Sequence, residues 1–200
     1  MEVGTDILRG TTDVDEDSGL VIQARSDRAA FVQLYRRHYD AIFRYCVHRL
    51  FDRAVAEDVT SEVFLKMVEN FHRFRGTEAQ FGNWLYRIAT NAVNNYLRKT
   101  NRRKGLLKTA CEQATNQMVY CEEASGRLVL LRKAMLSLKP RYQAIITLRF
   151  FENMKLIEIA GVLGGSSGTI RSQLARALEK LRKKMSADNA VWAAGGIDNE

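Results

Sequence analysis

Two sets of residues have the types and spacing for chemistry, and in both the chemistry is recognition of a polyanion. Arg87, Asn91, Asn94 and Arg98 recur at i, i+4, i+7 and i+11, so on a helix they stack along one face. Asparagine can pair with a base edge, and arginine with a base edge or a phosphate. Trp84 and Tyr86 flank that face; Trp84 reads either as core or, with Tyr86, as a stacking surface for an unpaired base. The second set is Thr169, Arg171, Ser172 and Arg176, followed by Lys183. At ~100° per residue Thr169, Ser172, Arg176 and Lys183 lie opposite the apolar stripe Ile170, Leu174, Ala177 and Leu181, with Arg171 flanking. Hydroxyls and arginines on an outward face suit phosphates and base edges in a major groove. The bland alternative is a solvated basic helix packed on its neighbour.

Bond-making chemistry has no comparable set. The three histidines, His38, His48 and His72, are scattered, and His38 and His48 read as ordinary helix residues. No carboxylate cluster, phosphate loop, metal-ligand spacing or nucleophile-base pair stands out, so no cofactor is expected and an enzyme acting on nucleic acid is a distant reading. Cys46, Cys111 and Cys121 are an odd number without metal spacing, which fits free thiols in a reducing cytoplasm. Cys111 and Cys121 read as inert, with a regulatory thiol pair as the alternative.

The elements that must position these sets are helical. One proline in 200 residues and helical apolar spacing almost throughout predict an all-α protein. It would consist of two small helical domains joined by a flexible linker, the C-terminal one containing a helix-turn-helix. Residues 1–26 are acidic and read as a disordered or loosely docked tail, Asp13, Asp15, Glu16 and Asp17 being clustered. Residues 27–100 form the first domain, with Ser26 or Asp27 as an N-cap. Within it a helix over 55–71 turns Ala56, Val59, Val63 and Met67 inward and Asp58, Glu62, Leu65 and Glu69 outward. That outer face is either a solvated acidic surface or a docking patch with Leu65 as its apolar anchor.

Residues 101–126 read as the linker, 127–185 as the second domain and 186–200 as a tail holding Trp192, for which no role is evident. Pro140 suits a first helical turn. Near 160 a short helix breaks at Gly164-Gly165, and Ser166 or Ser167 can cap the helix that follows. This is the arrangement of a DNA-binding helix-turn-helix.

The charge distribution agrees. The net charge is +8, with six Lys/Arg and no acid over 81–104, and six against Glu179 over 169–184. No run reaches the apolar length of a membrane span, so no membrane insertion is expected, and the acidic start lacks the basic-then-apolar pattern of a secretion signal. A cytoplasmic location follows as an expectation.

With these residues laid out, the chain resembles the extracytoplasmic-function (group 4) sigma factors, short bacterial factors with two helical domains. Ala56-Glu-Asp-Val-Thr-Ser-Glu-Val-Phe-Leu65 is similar to that family's polymerase-docking segment. Phe74-Arg-Gly and Phe81-Gly-Asn-Trp-Leu-Tyr-Arg-Ile-Ala-Thr-Asn91 resemble its minus-10 loop and helix. Leu138-Lys-Pro-Arg, Ile157-Glu-Ile-Ala, Gly168-Thr-Ile-Arg-Ser and Arg176-Ala-Leu-Glu-Lys-Leu resemble its minus-35 domain. The likeness spans about residues 27–100 and 127–184, and it is specific because several motifs recur in order.

The resemblance implies that Asp58, Glu62 and Leu65 dock on core RNA polymerase, on the clamp coiled coil of its largest subunit, with the flap as a second contact. It implies that Gly76, Thr77, Glu78, Ala79 and Gln80 cup a base flipped from the minus-10 element of promoter DNA. Trp84, Arg87, Asn91, Asn94, Asn95 and Arg98 would read or brace nearby DNA. Thr169, Arg171, Ser172 and Arg176 would enter the minus-35 major groove. The linker, reaching roughly 75 Å at ~3.3 Å per residue, would span the ~80 Å between elements two and a half turns apart. An anti-sigma factor stays open as a further partner.

Three positions depart from the pattern. Gly165 stands where the family usually carries an apolar residue, so a looser helix-turn-helix that depends on the polymerase is expected. Gly161 should weaken its helix by roughly 1 kcal/mol. Asn94 or Asn95 stands where aspartate is common, so promoter preference is expected to differ. The nearest rival, an autonomous helix-turn-helix regulator, would leave the acidic face and the first basic helix without a job.

Overall fold

The computed structural model describes residues 19–110 and 126–195, and every element in them is helical. The readings of Asp13 to Asp17, Cys111, Cys121 and the end of the chain lie outside the described residues. The helical chain begins inside the segment read as a tail. Helix α1 (Leu20–Gln23) buries Leu20 and Val21, with Ala24 just beyond. Three closely spaced apolar residues give even one turn something to bury, at ~1.5–3 kcal/mol for each large side chain.

Helix α2 (Arg28–Leu50) is capped by Asp27, whose carboxylate accepts from the Ala29 N–H at 2.8 Å. It ends at Phe51, which takes a left-handed conformation at φ 54°. Asp52 caps the next helix, α3 (Arg53–Phe71), by accepting from the Val55 N–H at 3.1 Å. Helix α4 (Glu78–Ala110) crosses both and continues into the segment read as linker. Its 33 residues span about 50 Å at ~1.5 Å each. The core between these helices holds Leu34, Ile42, Tyr45, Val63, Met67, Phe81 and Leu85, all buried. Phe81 sits edge-on to Phe71 and Phe74, with ring centroids 6.0 and 5.4 Å away. Such edge-to-face pairs add to what burial alone contributes.

The second domain starts with α5 (Gly126–Ser137) and α6 (Pro140–Ile146), where Pro140 occupies the first turn. A π-helical turn over Thr147–Phe151 follows, then α7 (Leu156–Leu163) and α8 (Ser167–Gly195). Helix α8 therefore runs on through most of the segment read as a tail. Met135, Leu138, Ile146 and Ala177 form a small core, and the buried Gln143 amide donates to the Met135 carbonyl at 2.7 Å.

The two domains are packed on each other. Helix α7 lies on α4, and the π-helical turn lies on α2. A single cluster of buried side chains runs from Leu34 and Phe81 to Ile145, Leu148, Ile159, Val162 and Ile170. Arg49, only 1% exposed, reaches across: its guanidinium donates to Tyr45 Oη, Asn94 Oδ1 and the Pro140 carbonyl. His48, read as an ordinary helix residue, also faces the second domain, with its ring 4.3 Å from that of Phe151.

Candidate nucleic-acid and polymerase interfaces

An open cleft of about 670 Å³ lies between the end of α3 and the start of α4. Phe74, Gly76, Gln80, Trp84, Ile88 and Asn91 line one side of it. Its aromatic floor exists because Phe81 is locked in the core and holds Phe74 and Trp84 against itself, Trp84 at 5.5 Å. Trp84 is half-buried and also lines the cleft. Gly76 is required by close approach, since a Cβ there would lie 2.5 Å from Phe74 Cζ and 2.9 Å from Gln80 Oε1.

The loop is pinned by its own polar residues. Gln80 Oε1 accepts from the Thr77 N–H at 3.0 Å, one half of a capping box. Glu78 accepts from the Val21 N–H at 3.0 Å and lies 4.0 Å from Arg37, which fastens α1 to this helix start. Ala79 is exposed beside them. The opposite wall comes from Lys66, Asn70 and Arg73, which the sequence reading missed. Lys66 and Asn70 stand one turn apart on α3 and Arg73 in the turn that follows it.

The expected stripe on α4 divides. Asn91 lines the cleft, and Arg98 is exposed with a bond to Asn95 Oδ1 at 3.1 Å. Asn94 instead turns toward α2 and accepts from Arg49 at 2.9 Å. Arg87 points at the other domain, donating to the carbonyls of Gly161 and Val162. Tyr86, expected to flank the stripe as a stacking surface, is buried, and its hydroxyl donates to Glu152 at 2.8 Å. Burial, and after it the adjacent carboxylate, raises the Tyr86 pKa far above the usual phenol value.

On α3, Asp58, Glu62 and Leu65 are all exposed, Leu65 by 59%. Val68, one turn further on and 53% exposed, extends the apolar strip, which the sequence reading stopped at Leu65. Glu62 forms an ion pair with Lys66, so the acidic face borders the basic wall of the cleft.

In the helix-turn-helix both turn glycines have positive φ, 73° at Gly164 and 115° at Gly165. An apolar L-residue at Gly165, where the family usually carries one, would be strained in this backbone. Ser166 caps α8, its hydroxyl accepting from the Thr169 N–H at 3.1 Å. Arg141 braces the turn by donating to the Leu163 and Gly164 carbonyls and to Gln173 Oε1. Thr169, Arg171, Ser172 and Arg176 are exposed on the outer side of α8, while Ile170 and Ala177 are fully buried. The Thr169 and Ser172 hydroxyls are held locally, to Ser166 Oγ at 3.0 Å and the Thr169 carbonyl at 2.9 Å.

Cys46 is buried, and loss of hydration pushes its thiol up to about 11. Among the described residues no group of His, Cys, Asp or Glu could hold a metal ion, and no helix is long and apolar enough to cross a membrane.

Comparison with known proteins accounts for both domains. Residues 34–103 match Sigma-70 region 2, and residues 128–181 match Sigma-70, region 4. The chain is 32% identical over 183 residues to the ECF RNA polymerase sigma factor BldN of Streptomyces coelicolor, covering 87% of this chain and 69% of that protein. It is 30% identical to the RNA polymerase sigma-H factor of Pseudomonas aeruginosa, covering 86% and 94%. The fold is shared with CnrH in its complex with the cytosolic domain of CnrY, at a TM-score of 0.61 and 24% identity over 86% of this chain and 98% of that one. It is also shared with RpoE bound to the anti-sigma factor NepR from Bartonella quintana, at 0.60 and 21% over 79% and 98%. Two sigma regions in order, a cleft at the head of α4 and a capped helix-turn-helix converge with these relatives. The chain belongs to the extracytoplasmic-function family of RNA polymerase sigma factors.

Proposed function

We propose that this protein is an alternative, group 4 sigma factor of the bacterial cytoplasm. It binds core RNA polymerase and directs it to promoters carrying matched minus-10 and minus-35 elements. The observation that carries the reading is one chain presenting three separate surfaces. These are the acidic and apolar face of α3, the aromatic and basic cleft at the head of α4, and the outer face of α8. A self-sufficient repressor needs only the last of these.

In this reading Asp58, Glu62 and Leu65 dock on the polymerase's largest subunit, with Val68 extending the apolar contact. A base unstacked from the non-template strand enters the cleft, where Trp84 and Phe74 offer π-faces and Asn91 a base-edge pair. Lys66 and Arg73 neutralise phosphates at the mouth. Gly76, Thr77, Glu78, Ala79 and Gln80 shape the rim, Asn95 and Arg98 lie along the strand's onward path, and Arg87 and Asn94 reach it only on leaving the carbonyls of α7 and the Arg49 guanidinium that hold them here. Thr169, Arg171, Ser172 and Arg176 enter the minus-35 groove. Unstacking costs a few kcal/mol, which stacking at ~1–3 kcal/mol per base can offset. The work is done by binding, without bond-making chemistry. An anti-sigma factor is a further partner in this reading, since RpoE of the same fold is found in complex with the anti-sigma factor NepR.

Run-off transcription with core polymerase over a genomic promoter library tests the proposal. Discrete starts preceded by a shared pair of motifs are expected. Absence of any sigma-dependent start, with tight duplex binding by the chain alone, would favour the autonomous regulator.

A further inference from the structure

Two arms of hydrogen bonds run from Arg49 on α2 to α4, and they end one turn apart. The first is direct: the guanidinium donates to Asn94 Oδ1 at 2.9 Å. The second passes through Tyr45, whose hydroxyl accepts from Arg49 at 2.6 Å and lies 2.8 Å from Thr90 Oγ1. Thr90 spends its own proton on the Tyr86 carbonyl at 2.8 Å, so Tyr45 is the donor between the two hydroxyls. Arg49, Tyr45 and Thr90 are all buried. The remaining bond of Arg49, to the Pro140 carbonyl, is the longest at 3.4 Å, whereas both arms to α4 lie inside the first domain.

These two anchors alternate along α4 with the residues that face the strand. Thr90 and Asn94 lie within ~40° of each other about the helix axis, at ~100° per residue. Asn91, Asn95 and Arg98 lie within ~60° of one another, about a quarter turn further round. Asn91 opens on the cleft and Arg98 is exposed. Beside the anchors α4 buries only small side chains, Ala89, Ala92 and Val93. A smooth surface of that kind holds helices together but resists rolling weakly, whereas hydrogen bonds are directional. A roll of ~20° carries an atom ~5–6 Å from the axis through ~2 Å. That is enough to break either arm and to take the Asn91 amide off a base edge.

We infer that Arg49, buried away from the cleft, is a positioning residue for minus-10 recognition: it fixes the rotation of α4 and so aims Asn91, Asn95 and Arg98 at the strand. The inference rests on the sigma-factor reading and deepens it. While Arg49 holds Asn94, that residue is an anchor, and the minus-10 preference is set in part from a helix behind the one that meets DNA. Fixing register is the best-attested use of a buried polar or ionic group.

Arg49→Met tests this, because an apolar side chain of similar length removes the buried ion without leaving a charge unpaired, and the fold should be kept. The variant is assayed in run-off transcription with core polymerase. The templates are copies of a promoter used by the parent, randomised either at the minus-10 or at the minus-35 positions. The minus-10 preference should fall at least fivefold, with the minus-35 preference unchanged. A mere loss of folded protein would lower transcription from every template alike and leave both preferences intact. An unchanged minus-10 preference, or an equal flattening at both elements, would overturn the inference. Tyr45→Phe fits the same space and cuts the Thr90 arm alone. It should flatten the minus-10 preference in the same direction, and an unchanged preference there would overturn the inference even if Arg49→Met failed to fold. Absence of any sigma-dependent start from the parent would instead overturn the sigma-factor reading.

Discussion

Replacing Gly165 and Gly161 by alanine, one at a time, should move stability in opposite directions. At Gly165 the problem is backbone and not space: φ is 115°, and the nearest heavy atom to a built Cβ is Arg141 Nη2 at 4.0 Å. Holding an L-residue in such a sparsely populated region costs about 1–3 kcal/mol. Alanine also restricts the unfolded chain, which returns about 0.4–1 kcal/mol. The net loss for Gly165→Ala is then about 1–2 kcal/mol. Gly161 sits inside α7, where an added Cβ would meet Asn83 Nδ2 at 3.6 Å, an ordinary contact. Gly161→Ala should gain up to about 1 kcal/mol from helix propensity alone. For a chain of this length 1 kcal/mol corresponds to about 2–4 °C. Thermal unfolding followed by far-UV circular dichroism should therefore fall by about 2–8 °C for Gly165→Ala and rise by up to about 4 °C for Gly161→Ala. Shifts of the same sign, or a neutral Gly165→Ala, would refute the assignment of strain to that turn.

Other expectations follow from the surfaces. Asp58→Lys with Glu62→Lys should reduce core polymerase binding more than tenfold in a pull-down or anisotropy titration while leaving helicity intact, because both carboxylates are exposed and cap nothing. Arg176→Ala should cost about 1–3 kcal/mol of minus-35 discrimination, read as a flattened preference in a promoter-variant competition. Tyr86 supplies a pH test. Its folded pKa is raised above 10.0 by burial and by Glu152, so its neutral form stabilises the packed state below that pH. The contribution is lost as pH rises past the unfolded value. Tyr86→Phe should accordingly show a shallower fall in melting temperature between about pH 9 and 11 than the parent.

Helix faces were legible because each is a local pattern: the buried Ile170 and Ala177 and the exposed Thr169 and Arg176 separate on period alone. The caps at Asp27 and Ser166 were legible for the same reason. The closed arrangement was not. Its acceptors are backbone carbonyls of Gly161 and Val162, which have no sequence signature, and its donor Arg87 sat on a stripe that nucleic acid explained equally well. Gly165 misled in the opposite direction. Hydrophobicity made it look like a missing core residue, whereas the backbone needs positive φ there. The start of the first domain was missed because Leu20, Val21 and Ala24 are too few to show a period, and they fold only against partners far along the chain.

Arg49 gives the molecule a further property. Its guanidinium is almost wholly withdrawn from water, yet its hydrogen-bond partners are neutral oxygens on Tyr45, Asn94 and Pro140, and its Nε has none. A cation held this way pays a hydration penalty that neutral acceptors only partly offset. One of those acceptors belongs to the other domain, so parting the domains admits solvent beside the charge. The apolar contacts across the seam and the hydration of this one cation therefore act in opposite senses.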